Sequence, residues 1–161
     1  MSTATHHTLE EAGLSMPYWH AAQLSHPFWK VAHLLEKMSE SERIQSIKRG
    51  FTADWADAAR QAFGLPAQSM VELLNLSSAT WDRRRKDAKP LNAAASERLE
   101  RIASVALLAA SVFEDETAAA DWMARPNPAL NGATPVMHCD TDIGARQVRR
   151  ILNALEWGGV V

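Results

Sequence analysis

The densest chemistry in this chain lies in MVELLNLSSATWDRRRK, residues 70–86, which holds the hydroxyls of Ser77, Ser78 and Thr80, the indole of Trp81 and four consecutive cations, Arg83, Arg84, Arg85 and Lys86. Cations neutralise phosphates, while short hydroxyls and guanidinium forks read base edges. Such groups act together on a helix that enters the major groove of DNA. Ser78, Ala79, Thr80 and Trp81, near the start of that helix, are placed to meet bases, and Arg83, Arg84, Arg85 and Lys86 reach phosphates or guanines. Four consecutive cations cover a full turn, so at least one must face solvent or pair with Asp82 or Asp87. The plain alternative is a solvated charge run on a surface helix.

Other constellations fail on geometry. His20, His26 and His33 are spaced by six and seven residues; seven residues is two turns, too far for both imidazoles to reach one tetrahedral metal from a straight helix. His138-Cys139-Asp140 offers base, nucleophile and acid types, yet adjacent residues do not bring their side chains into a triad. No Gly-rich phosphate loop is present. We expect no catalytic residue, no metal site and no cofactor.

The basic segment needs elements to hold it. A short helix with Met70, Val71, Leu73 and Leu74 on its apolar side precedes Asn75, which tolerates a left-handed turn, and Leu76, which plugs the core. Ser77 then caps a helix that ends before Lys89-Pro90. Helix, turn, plug and capped basic helix describe a helix-turn-helix. Upstream, residues 52–63 form a helix closed by Gly64, and Pro66 opens the next. Earlier still, Phe28, Val31, Ala32, Leu35 and Met38 mark one helix face, and Ser39 with Glu42 forms a capping box for a second helix stopped by Gly50.

Downstream, residues 97–113 and 117–123 read as helices, the second carrying Trp122. Residues 125–132, with Pro126 and Pro128, are a fixed loop pinned by Leu130. Asp142 caps a last helix with Ala145, Val148, Ile151, Leu152 and Leu155 in a stripe, closed by Gly158-Gly159. The whole chain therefore reads as all-α, divided into an N-terminal helical segment at 1–49, a candidate dimer surface, a helix-turn-helix at 50–92 and a C-terminal helical domain at 93–161. Residues 1–11 read as a frayed end, with no secretory signal.

At 161 residues, 47% of them hydrophobic, the chain is long enough to bury a core without staples. Its single Cys leaves no internal disulfide and leans toward a reducing compartment, so the cytoplasm is expected. The most apolar run, 102–113, is too short to cross a membrane. The net charge of −2 hides a pattern: five of the eight bases of residues 51–113 fall between Arg83 and Lys89, whereas residues 114–161 carry 7 acids against 4 bases. One basic focus and one acidic third fit two different partners. The end, Trp157-Gly158-Gly159-Val160-Val161, is apolar, and such an end is buried either in its own fold or in a partner.

At these residues the sequence resembles the Xre/MbcA/ParS antitoxins of RES–Xre toxin–antitoxin pairs, over about residues 50–161. Leu73, Leu74, Leu76, Ser77, Thr80, Arg83 and Arg84 carry the likeness in the helix-turn-helix, followed by Leu91, Ser96, Arg98, Leu99 and Arg101. The more specific half is Ala119, Trp122, Pro126-Asn127, Leu130, Gly132, Thr134-Pro135, Asp140-Thr141, Gly144, Val148, Leu152 and Gly158, which resembles the family's toxin-binding domain. The chain departs at Asn75 and Asn131, where the family has Gly, at Val71, where it has a small residue, and at Met137-His138-Cys139, where it is Leu-rich.

The resemblance implies an Xre-like helix-turn-helix, with Ser77, Ser78, Thr80, Trp81, Arg83, Arg84, Arg85 and Lys86 on operator DNA, and a C-terminal toxin-binding domain. There it implies contacts from Trp122, Asn127, Leu130, Arg149, Glu156, Trp157, Gly158, Gly159, Val160 and Val161 that cover the NAD site of a RES-domain toxin. The partners expected are that toxin, operator DNA and a second copy in a homodimer, with no membrane. Two alternatives stay open. One is a free-standing transcription regulator whose C-terminal third only dimerises; the other, a helical adaptor, leaves the capped basic helix unexplained.

Overall fold

The computed structural model describes residues 26–158, and within them the fold is all-α. The helices are α1 (Pro27–Glu36), α2 (Glu40–Arg49), α3 (Ala53–Ala62), α4 (Ala67–Leu73), α5 (Ser78–Lys86), α6 (Ala93–Phe113), α7 (Glu116–Ala124), α8 (Pro135–His138) and α9 (Asp142–Glu156), with a 3-10 turn at Pro128–Leu130. The expectations placed on residues 1–11, on His20 and on Gly159, Val160 and Val161 lie outside the described residues.

Local chemistry sets most of the boundaries. Ser39 and Glu42 form the capping box, the Ser39 N–H donating to Glu42 Oε2 at 2.7 Å. Ser77 accepts from the Thr80 N–H at 3.1 Å, and Asn92 from the Ala95 N–H at 2.8 Å. The Asn92 cap starts α6 nearly two turns before Leu99, its first strongly apolar residue, which is why it is longer than its apolar pattern indicates. Thr141, rather than Asp142, caps α9, accepting from the Gly144 N–H at 3.0 Å; Asp142 falls in the first turn and pairs with Arg146. Asn75 and Asn131 are left-handed, as an Asn in place of Gly allows, but so are Ala88 and Glu114, which no residue type announces.

α6 is the spine. Its buried residues, Ala95, Leu99, Ile102, Ala103, Val105, Ala106 and Ala109, lie on more than one face, and α1, α2, α7 and α9 all pack on it. The alternation of Ala with larger residues lets neighbours approach closely. On the N-terminal side an aromatic cluster joins α1 to α3: the Phe28 ring lies 5.1 Å from Phe63 and 6.0 Å from Trp55, and the Trp55 indole N–H donates to the Phe28 carbonyl at 3.2 Å. The α1 face that made residues 28–38 a candidate dimer surface is therefore covered by the chain's own core.

The helix-turn-helix is closed at its base where the entering and leaving chains cross. Leu91 N–H donates to the Phe51 carbonyl at 2.8 Å, Thr52 and Pro90 form an isolated antiparallel bridge, and Phe51 N–H donates to the buried Ser96 hydroxyl at 3.0 Å. Gly50 makes this crossing possible: its φ is +90°, and a Cβ there would fall on the Leu91 carbonyl oxygen. Gly64 has a positive φ of +61° but open space around it. Gly50→Ala is therefore expected to destabilise the protein by about 2 kcal/mol or more, and Gly64→Ala by about 1 kcal/mol, in chemical denaturation. Equal losses would locate no special constraint at the crossing.

Candidate functional site

α5 is anchored by the residue that looks, in the sequence, most like a base reader. Trp81 is 3% exposed and sits in the core beside α3 and α4, so it cannot reach DNA; that expectation is corrected. The physical reason is visible in SATWDRRRK, where Trp81 is the only large apolar side chain and so the only one able to fasten the helix. At about 100° per residue, the face opposite Trp81 carries Ala79, Arg83 and Lys86, flanked by Thr80 and Asp82, whereas Arg84 lies about 60° from Trp81 and is half-buried. Ser77 is spent on its cap, bonding both the Thr80 N–H and, at 2.8 Å, the Thr80 hydroxyl.

Arg85 turns back toward the core. Its guanidinium lies 5.7 Å from the Trp81 ring centroid and 3.7 Å from Asp57 Oδ2 on α3, so its partner is neither Asp82 nor Asp87. Asp57 also accepts from Arg60 Nε at 2.7 Å and from Gln61 at 2.9 Å. Burial works against its ionisation, but the hydrogen bonds from Arg60 and Gln61 and the charges of Arg85 and Arg60 outweigh it and hold the carboxyl below its ordinary value. Behind the turn, Arg98 of α6 donates to the Leu73 carbonyl at 3.2 Å, satisfying an orphan acceptor at the end of α4. The reading helix is thus fixed from α3 by charge, from α4 by packing and from α6 through α4.

In the C-terminal half, several expected contact residues serve the fold. Leu130 is buried at 5% exposure and pins its loop, so it meets no partner directly, which corrects that expectation. The Asn127 side chain accepts from the Ala129 N–H at 2.9 Å, and its carbonyl takes the Leu130 and Gly132 N–H groups, both at 3.0 Å. Trp122 is half-buried against Phe113, with ring centroids 5.8 Å apart. Arg149 donates to Ser104 on α6 at 3.4 Å. Gly144 lies against the His138 carbonyl, where a Cβ has no room, and this packs α9 onto α8. Burial pushes the Cys139 thiol up to about 12, against the pull of Arg149 and Arg101, so it stays protonated and unreactive.

Of the expected contact residues, the most exposed lie at the end of α9: Trp157 is 85% exposed, Glu156 and Gly158 are exposed beside it, and the neighbouring Leu155 is 37% exposed. Some of the acids of residues 114–161 are used internally. Asp115 caps α7, Glu116 bonds His33 of α1 at 2.8 Å, and Asp121 pairs with Arg125. Among the described residues no group of His, Cys, Asp or Glu could hold a metal ion, and no helix is long and apolar enough to cross a membrane.

Residues 42–104 match the model of the antitoxin Xre-like helix-turn-helix domain, and residues 108–158 match that of the antitoxin Xre/MbcA/ParS C-terminal toxin-binding domain. The chain belongs to the Xre/MbcA/ParS antitoxin family. It is similar to a protein of Sphingobium sp. (strain YBL2) named Prs ADP-ribosylating antitoxin, with 29% identity over 77% of this chain and 84% of the relative. It is also similar to proteins named Antitoxin Xre from Yersinia enterocolitica, at 28% identity over 71% of this chain and 78% of that one, and from Pseudomonas putida, at 28% over 73% and 72%. This antitoxin family is not an enzyme family; its members combine a DNA-binding fold with a toxin-binding domain.

The charge lock on α5 has a measurable pH signature. A carboxyl held below its unfolded value stabilises the fold at every pH above that value and loses its contribution as the pH falls through the folded one. Asp57→Asn is expected to cost about 1–2 kcal/mol at pH 7. The difference from wild type should shrink as the pH falls below about 4, the ordinary range of an Asp carboxyl. Thermal melts of both proteins across pH 3–7 check this. A gap that does not change with pH would assign the loss to packing.

Proposed function

We propose that this chain is the antitoxin of a RES–Xre pair: it binds a RES-domain toxin, covers the toxin's NAD site with the end of α9, and binds operator DNA to regulate its own operon, working in the cytoplasm. The observation that carries the reading is the 85%-exposed Trp157 at the end of α9, inside a segment that matches a toxin-binding domain. An indole left in water at the tip of a helix whose inner face is buried is the side chain of an interface anchor. Glu156 beside it suits a cleft that accepts anionic NAD, because such a cleft is lined with basic groups. The name of the Sphingobium relative adds support, since ADP-ribosylation takes its ADP-ribose from NAD. It also favours a second version of the toxin's chemistry, transfer of ADP-ribose to a protein instead of plain NAD breakdown.

On the DNA side, Arg83, Arg84 and Lys86 serve as phosphate or guanine contacts, and Ser78 and Thr80 as readers of base edges. One such helix buries too little surface for tight specific binding, so a homodimer on a palindrome with half-sites about 34 Å apart, or a multiple of that, is the working arrangement.

Two experiments test the proposal. Deleting residues 157–161 should restore toxicity in cells and NAD consumption in vitro while operator binding survives; full inhibition by the shortened chain would move the inhibitory surface earlier. Arg83→Ala with Arg84→Ala should weaken operator binding and flatten its salt slope by about 2 units, one for each phosphate that is no longer neutralised, with the melting curve unchanged. Unaltered DNA binding by this double variant would place the reader elsewhere.

A further inference from the structure

α9 has two faces, and only one of them is used by the fold. Gly144, Ala145, Val148 and Leu152 are buried against α6 and α8. On the opposite side Ile143, Arg150 and Trp157 recur every seven residues, two turns apart, with Arg146 and Ala154 between them. Ile143 is 67% exposed and Trp157 85%, and both arginines are exposed. The outer face is therefore a stripe with an apolar group at each end and two guanidiniums in the middle. Arg146 is tied only to Asp142 of its own helix, at 3.1 Å, with both side chains more than 60% exposed. A pair so open to water holds its arginine weakly and leaves it free to change partner.

We infer that the outer face of α9 from Ile143 to Arg150 is a docking surface for an acidic patch of the cognate toxin, lying outside the toxin's NAD site, with an apolar socket for Ile143 beside carboxylates that pair with Arg146 and Arg150, while Trp157 at the far end of the stripe belongs to the tail that covers the NAD site. A second copy of this chain does not suit the stripe. A two-fold axis running antiparallel through it would set Arg150 against Arg150, and a parallel one would add Arg146 against Arg146; like charges facing each other oppose association. The matched toxin-binding domain covers all of α9, and carboxylates are the groups that pair guanidiniums bidentately. The inference rests on the toxin-binding reading above but assigns its affinity to a different surface from its inhibition: the tail closes the NAD cleft, and the stripe holds the two proteins together.

The test uses the full-length chain with Arg146→Glu, Arg150→Glu or Ile143→Ser, all at exposed positions, titrated against the purified RES-domain protein encoded beside it. Each variant is expected to weaken binding about tenfold or more, and the arginine reversals to flatten the salt dependence of Kd, while operator binding and melting temperature stay at wild-type values. Binding by all three within twofold of wild type, with wild type binding well, would overturn the inference and leave the proposed function standing. A wild-type chain that does not bind the RES protein would overturn the proposed function and the docking surface with it. Wild-type protein whose oligomer falls apart in the arginine variants would assign the stripe to a second copy and overturn the assignment to the toxin.

Discussion

The architecture depends on one constraint: α6 has to be core for both halves of the protein. At about 1.5 Å per residue its 21 residues span roughly 31 Å, the width of a small domain. Ser96 near its start receives the Phe51 N–H, and Arg98, about half a turn on, reaches the Leu73 carbonyl; further along, Ile102, Val105, Ala106 and Ala109 serve α1, α2, α7 and α9. A helix buried on several sides cannot carry many charges. Glu100 is tolerated because Arg43 of α2 bonds it with both Nε and a terminal guanidinium nitrogen, which turns a partly buried carboxylate into a tie between helices.

Both functional surfaces are consequently ends or outer faces of helices whose inner faces the spine and its neighbours hold. α5 is only 9 residues long, too short to be stable alone, and it is ordered by Trp81 and by the Asp57–Arg85 pair. α9 is ordered by Val148 and Leu152 in the core and by the close approach of Gly144 to α8. A partner that meets either helix meets a surface already fixed, so little ordering entropy is given up on binding.

Much of this is legible in the sequence because caps and periodicity are local signals. Ser39, Ser77 and Asn75 announce their elements within three or four residues of themselves. Asp57 to Arg85, Arg98 to Leu73 and Ser96 to Phe51 are not legible, because each joins residues at least 25 apart and no residue type specifies its distant partner. Trp81 departs from its expected role for a different reason: an aromatic among cations suggests a ligand contact, whereas a helix with one large apolar residue must turn that residue inward. Ile143 and Arg150 carry no signal of their own, because the apolar stripe of α9 marks its inner side only.

Charge summed by segment is a poor guide to charge presented at a surface. Residues 114–161 lean acidic by 7 to 4, yet Asp115 is used as a cap and Glu116 by His33, while Arg146 and Arg150 both lie on the outer face of α9. Acids are favoured at helix starts because they accept from unpaired N–H groups there, and this chain has several helix starts in that third. The acidic excess is thus partly a by-product of folding into short helices. What a partner meets along α9 is a mixture of exposed charges, Asp142 against Arg146 at its start, Arg150 further along its outer side and Glu156 at its end, opposite signs within about four turns of one helix.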